Sequence, residues 1–204
     1  MEPMTTAQRR IHQTALRLFA ERGATQLSIR DLAKEAGVAR GTIYQYVDTM
    51  DQLFEHVASQ LSADMHRRIR KNISHLEDPG QRLANGIRFF IRRAHEEPQW
   101  GAFLSRFAMT TPMLRETLYS QATADVLSGL SKGRYRFRQE QLLSVISMIA
   151  SSVLGAMLLV MEGHKTWREA GSDTAEMILR TLGIAPDEAV ALATGELPPL
   201  PCPD

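Results

Sequence analysis

Between Ala39 and Val47 the chain reads ARGTIYQYV, and most of its side chains offer hydrogen bonds. Arg40 brings a planar fork of five donors, and Gln45 a carboxamide that donates and accepts side by side. Thr42 has a hydroxyl beside a methyl, and Tyr44 and Tyr46 have phenols on flat rings. No general base or metal-ligating partner accompanies them, so the chemistry they support is recognition rather than bond breaking. Gly41 leaves the backbone open to close approach, and Ser28 and Arg30 add polar groups a little upstream.

A short recognising segment needs neighbours to hold it. Ile11, Ala15, Leu18 and Phe19 fall at i, i+4, i+7 and i+8, one face of a helix that Gly23 ends at the usual left-handed cap position. Ser28 precedes Ile29, Leu32, Ala33 and Ala36, again one face, with Asp31 completing a shortened capping box and Gly37 as the stop. A third helix is predicted from about Ala39 to Tyr46, with Ala39, Ile43 and Tyr46 or Val47 turned inward. Thr49 and Gln52 cap a longer fourth helix striped by Leu53, Phe54, Val57, Leu61 and Met65.

Two short helices joined by a tight glycine turn, between two others, form a helix-turn-helix. An α-helix with its side chains, about 10–12 Å across, fits the major groove of B-DNA. There Arg40 can pair bidentately with guanine, Gln45 with adenine, and the Thr42 methyl with a thymine methyl, while Tyr44 and Tyr46 reach phosphates. The candidate DNA-binding residues are Ser28, Arg30, Ala39, Arg40, Gly41, Thr42, Tyr44, Gln45 and Tyr46.

The bulk properties narrow the classes. With 44% hydrophobic and 23% charged residues, the 204-residue chain reads as a soluble protein with a proper core. Net charge is only +1; residues 1–72 carry 11 Lys/Arg against 8 Asp/Glu, a weak basic bias. One cysteine, Cys202, excludes an internal disulfide, and its proline-rich surroundings make it incidental. The opening MEPMTTAQRR lacks a signal-peptide pattern, which suits the cytoplasm. No dinucleotide fingerprint, phosphate loop or H-E-x-x-H motif occurs, and the six histidines show no ligand spacing. His95-Glu96-Glu97 lies at a helix end before Pro98, where a histidine suits the dipole. Glu162 and His164 cannot share a helical face. No catalytic residue, metal or cofactor is expected. A helical-bundle enzyme, or another DNA-binding helix-turn-helix protein such as a recombinase, is the alternative.

The rest also reads as helix, which makes the fold class all-α. From Pro79 to about Glu97, Leu83, Ile87, Phe90 and Ile91 share one face, with Arg82, Arg88, Arg92 and Arg93 mostly elsewhere. Trp100, Phe103, Leu104 and Phe107 form a short aromatic helix; Pro112 starts another to about Leu130, with Gly129 and Gly133 in a loop. Residues 142–160 run without a charge, close to the length that spans a membrane. Five of them are Ser or Gly and no basic flank with an aromatic belt is present, so a helix buried on every side is expected and no membrane partner. Ser144, Ser147 or Ser151, and Gly155 make a small-residue stripe, and Ser172 to Leu182 form a further helix.

The stretch Ala15 to Val47, with LFAERG, S-I-R-D-L-A, AGV and G-T-I-Y-Q-Y, resembles the N-terminal domain of the TetR/AcrR family of bacterial transcription regulators over roughly residues 8–60. Two positions depart from the family pattern: Val47 replaces a common phenylalanine, and Met50 replaces a lysine that contacts phosphate. The resemblance implies a three-helix DNA-binding domain, 5–66, a larger helical effector-binding and dimerisation domain, 67–193, and a proline-rich tail, 194–204. It implies a homodimeric repressor on an inverted-repeat operator, released by a small-molecule effector. For that effector the candidate contacts are Phe89, Phe90, Arg93, Trp100, Phe103, Phe107, Met113 and Tyr119, and nearby arginines favour an anion with an apolar body. The last two long helices would dimerise through Ser147, Ser151, Gly155, Leu158, Ile178 and Leu182. A single short reading helix spans few base pairs, so two half-sites and a two-fold dimer follow physically as well.

Overall fold

The computed structural model describes residues 4–24, 26–73 and 75–199. Among these, ten α-helices and one 3-10 turn occur and no strand. The N-terminal lobe comprises α1 (Thr6–Arg22), α2 (Ile29–Ala36), α3 (Arg40–Tyr44) and the first half of α4 (Met50–Ile73). The body adds α5 (Pro79–Glu96), α6 (Pro98–Phe107), α7 (Pro112–Ser131), α8 (Leu142–Met161), α9 (Trp167–Thr181) and α10 (Pro186–Thr194). The expected junction at 66/67 lies inside α4, which runs on without a break. Leu53, Val57 and Leu61 face the first lobe's core, and Met65, Ile69 and Ile73 continue the buried stripe into the body.

The caps follow the sequence closely. Thr5 and Gln8 form a reciprocal box at α1. Ser28 Oγ accepts from the Asp31 amide at α2, and Gly37 closes that helix in the left-handed region at φ 62°. Gly23 also has positive φ, but its ψ of 166° turns the chain outward rather than into a left-handed cap. At α4 the Gln52 amide donates to Thr49 Oγ1, while the Gln52 side chain reaches Asp48 instead of Thr49.

The centre of the body differs from expectation. α8, the most apolar helix, is covered on one side only: Ile146, Ile149, Val153, Met157 and Val160 are buried, while Leu143, Leu158 and Leu159 are exposed. The helix packed on nearly all sides is α5, which touches α4, α6, α7, α8, α9 and α10. Two of its arginines are interior, Arg88 at 7% exposure and Arg93 at 1%. Arg93 is paired, donating to Asp64 at 2.7 Å and Glu97 at 3.0 Å, whereas Arg88 makes one bond, to the Gly195 carbonyl at 2.7 Å, and its buried Nη1 has no partner among the described residues. α9 begins at Trp167, five residues before the predicted start, on a Thr166–Glu169 capping box. The described part of the tail is strapped along the body, with Arg92 donating to the Pro198 carbonyl; Cys202 lies outside the described residues.

Gly129, expected in a loop, lies in the last turn of α7. The Tyr135 ring packs so closely there that a Cβ would sit 2.0 Å from Cε2. Helix propensity alone favours alanine by about 1 kcal/mol. Packing outweighs it: Gly129→Ala should lower unfolding free energy by about 1–3 kcal/mol in urea titration, as overpacking does.

Candidate DNA-reading face and effector cavity

α3 has only five residues and one fully buried side chain, Ile43, so the rest of the lobe must hold it. Val47 closes the same pocket at 4% exposure and keeps an apolar contact there. Arg10, on α1, donates to the Ala36 carbonyl at 2.7 Å and so clasps the turn between α2 and α3. Arg17 pairs with Glu35 at 2.8 Å, which holds that carboxyl below its usual range.

On the outward side, one residue differs in placement from the expectation. Arg30, Arg40, Gly41, Tyr44 and Gln45 are exposed, Thr42 is half-buried, and Ser28 is the exposed N-cap of α2. Ala39, expected on the inner face, is instead the exposed N-cap of α3, because the helix starts one residue later than predicted. Tyr46 is half-buried, its ring 5.6 Å from that of His56, and burial raises its phenol above the usual range. Arg30, Lys34 and Arg40 rim a surface depression of about 450 Å³ between α2 and the start of α3. Lys34 was not among the predicted residues, although its position four after Arg30 puts it on the same helical face. Arg10 gave no local signal, since its partner carbonyl is 26 residues away.

The predicted effector residues scatter. Of the eight, only Phe90 lines a partly open cavity of the body, a space of about 30 Å³ between α4, α5, α7 and α8. Phe103 and Phe107 stack instead with Phe19 and Phe54, at 5.0–6.4 Å between centroids, where α6 meets the first lobe. Trp100 lies under the Arg93 guanidinium at 4.4 Å, and Phe89 is plain core. Met113 is surface-exposed, and Tyr119 is half-buried outside the cavity lining. Arg93 is committed to Asp64 and Glu97, so it is no ligand anchor. Nearby Arg106 caps the C-terminal end of α1 through the Ala20 and Glu21 carbonyls.

On the expected dimer face, Ser151, Gly155 and Leu158 are exposed and Ser147 half-exposed along α8. Ile178 and Leu182 are not on it. They are buried at 3% and 0% within the protomer, and α9 turns Met177 outward at 60% exposure.

Catalytic groupings find no geometry. The string Gly129-Leu130-Ser131-Lys132-Gly133 has nucleophile-elbow spacing, but it ends a helix, and Ser131 Oγ donates to the Ser128 carbonyl. Glu96 and Glu97 pair with arginines. Glu162 and His164 do meet, at 3.3 Å, in the exposed turn beyond α8. Among the described residues no metal-ligating cluster forms.

Comparison with known proteins agrees with this geometry. The family model "Bacterial regulatory proteins, tetR family" matches residues 11–57, and "Tetracyclin repressor-like, C-terminal domain" matches 78–194. The chain belongs to the TetR family of bacterial regulators. An HTH-type transcriptional regulator of Mycobacterium tuberculosis is 29% identical over 103 residues, 50% of each chain, so the match spans about half the length of that curated relative. RolR, solved with its ligand resorcinol, is 25% identical with a TM-score of 0.73 over 96% of both chains. FadR of Bacillus subtilis, solved with stearoyl-CoA, shares the fold at 18% identity and a TM-score of 0.73, over 87% of this chain and 99% of that one. Family and relatives are regulators, which answers the enzyme alternative, and the C-terminal match answers the recombinase one.

His12 of α1 is buried, and desolvation with the nearby His56 lowers its pKa from 6.5 to about 4. The unfolded chain therefore binds more protons between those values, so stability is present above pH 6.5 and lost as pH falls towards 4. About 3 kcal/mol should go in that window, and His66, whose pKa burial also lowers, acts in the same direction. Chemical denaturation at pH 7 and 4.5 should show a clearly smaller loss in His12→Leu.

Proposed function

We propose that the protein is a transcriptional repressor that binds an inverted-repeat DNA operator as a homodimer in the cytoplasm and is released by a small-molecule effector. The observation that carries the reading is the reading face itself: Arg40, Tyr44 and Gln45 exposed on a helix clasped from behind by Arg10, Ile43 and Val47. Ser28, Arg30, Lys34 and Tyr46 flank it as phosphate contacts, and Ala39 and Thr42 approach bases. The division of labour is a DNA-binding unit over residues 5–66, an effector and dimerisation unit over 67–193 and the tail from 194, with α4 common to the first two.

The exposed stripe of α8 supports the dimer. A 20-residue helix with Leu143, Leu158 and Leu159 open to water is an apolar face awaiting cover, and a two-fold partner covers it with the same face. RolR's resorcinol supports a small effector held in the body. Such a ligand releases DNA only by its preference for the helix arrangement that does not fit the operator.

Selection of duplexes from a random pool should yield an inverted repeat with half-sites about one helical turn apart. Arg40→Ala should cost about 1–3 kcal/mol of affinity and relax one base position. A pool that stays unenriched at low salt, with and without added resorcinol, sinks this reading. Gly41→Ala should separate stability from binding, since a Cβ there meets nothing within the chain. The variant should unfold about 0.5–1 kcal/mol later yet bind the selected operator more weakly. Gly155→Arg should sediment as a monomer and lose the operator.

A further inference from the structure

The cavity of the body has a chemical polarity that restricts what it accepts. Its walls are Ile69 of α4, Leu83 and Phe90 of α5, Leu118 of α7, and Ile149 and Val153 of α8. Only two lining residues are polar, Gln121 and Asp125, one turn apart on α7. Asp125 is 2% exposed. Its carboxylate accepts from Arg82 Nε at 2.5 Å and from Gln121 Nε2 at 3.0 Å. That bond fixes the Gln121 amide: its nitrogen faces the acid, and its oxygen is left as an acceptor.

The nearby cation is already spent. Arg82 Nη1 donates to the Leu76 and Glu77 carbonyls at 2.9 and 3.0 Å, and Nη2 to Ser128 Oγ at 3.2 Å. Arg82 itself is not in the cavity lining. The polar end of the cavity therefore presents the oxygens of Asp125 and Gln121, with one N–H of the Gln121 amide beside them. A carboxylate would bring a second negative charge to an Asp125–Arg82 pair whose one positive charge is already matched.

Space is available at one further point. Gly86, in mid-α5, lines the cavity, and a Cβ built on it meets no atom within 4 Å. The present volume of about 30 Å³ holds a water or two. A larger guest must part α5 from α7 or α8 over this bare backbone.

We propose that the cavity of the body takes a compact apolar molecule, about one ring in size, bearing a hydroxyl or amino donor, and that Asp125 selects it over carboxylates. The donor hydrogen-bonds to Asp125 or Gln121 Oε1, and the ring lies over Gly86 between Leu83 and Ile149. This reverses the anion expected from the arginine-rich sequence, because those arginines point elsewhere. It rests on the reading of the body as an effector domain.

The test uses the full-length protein and three ring probes in calorimetric titration and thermal melting. Resorcinol carries two donors, 1,3-dimethoxybenzene has the same ring without donors, and benzoate is the anion. Resorcinol should bind at least tenfold tighter than either and raise Tm. Gly86→Ala, whose methyl fills the space, should fold and lose at least tenfold in resorcinol affinity; Asp125→Asn should lose a similar factor. If Asp125→Asn fails to fold, the three-probe comparison on the natural chain still decides. Benzoate matching resorcinol, dimethoxybenzene matching it, no resorcinol binding up to millimolar concentration, or an unaffected Gly86→Ala would each overturn the proposal. DNA selection on the same preparation keeps the two readings apart. An enriched operator without resorcinol binding removes only the ligand assignment, and resorcinol binding without an operator removes only the repressor.

Discussion

The arrangement of the body depends on burying two arginines. α5 can occupy the centre only if Arg88 and Arg93 come with it, and a guanidinium does not shed its charge at physiological pH. Burial pushes both groups below the usual arginine value, which measures how unfavourable that environment is for a cation. Partners offset it. Asp64 reaches Arg93 from α4, Glu97 from the end of α5, and the Trp100 ring lies against the same guanidinium. Arg68 joins through Glu97 at 2.7 Å. Such a cluster is not a large net stabiliser, since desolvation cancels much of its attraction. It acts as a register pin: any sliding of α4 along α5 leaves a buried charge alone, and that costs about 3–5 kcal/mol.

That pin sits where the two lobes join, and a second junction lies beside it. Phe54 of α4 stacks on Phe103 and Phe107 of α6, and Phe19 of α1 closes the group. Arg106 of α6 holds the last carbonyls of α1. The first lobe is thus fastened to the body by one ring cluster and one arginine cap, both on α6, besides α4 itself. Ile69, which lines the cavity, and Met50, which follows α3 in the chain, lie on one continuous helix. The proposed regulation needs no more than two arrangements of that helix, with one held by the pin.

What was legible in the sequence was local. Ser28, Gly37, Thr49 and the apolar spacing around Leu32 and Val57 act on neighbours within four residues, so the helix-turn-helix and its outward face follow from spacing alone. What was hidden depended on distant partners. Phe103 and Phe107 look alike whether they line a ligand cavity or a lobe junction, because an aromatic stripe states only that a face is covered. Arg93 reads as a polar anchor for a ligand until Asp64, 29 residues away, is placed against it. α8 is apolar on both sides, so no periodicity reveals which side the protomer leaves bare. Ile178 and Leu182 were assigned to the interface on the family resemblance, although α9 spends them on its own core.

Three glycines bring these threads together. Gly41, Gly86 and Gly155 lie inside helices without positive φ, and a Cβ on any of them would meet nothing within the chain. Each costs its helix up to about 1 kcal/mol relative to alanine, and the protomer returns nothing for it. Gly129 is the contrast, since Tyr135 fills its missing side chain. A glycine that the fold does not require points to a body outside the fold. Gly41 sits on the reading face, Gly86 on the wall of the cavity and Gly155 on the bare stripe of α8. Those are the surfaces that the proposed function assigns to DNA, to the effector and to a second copy of the chain. Absent side chains, rather than present ones, thus coincide with all three proposed contacts on one protomer.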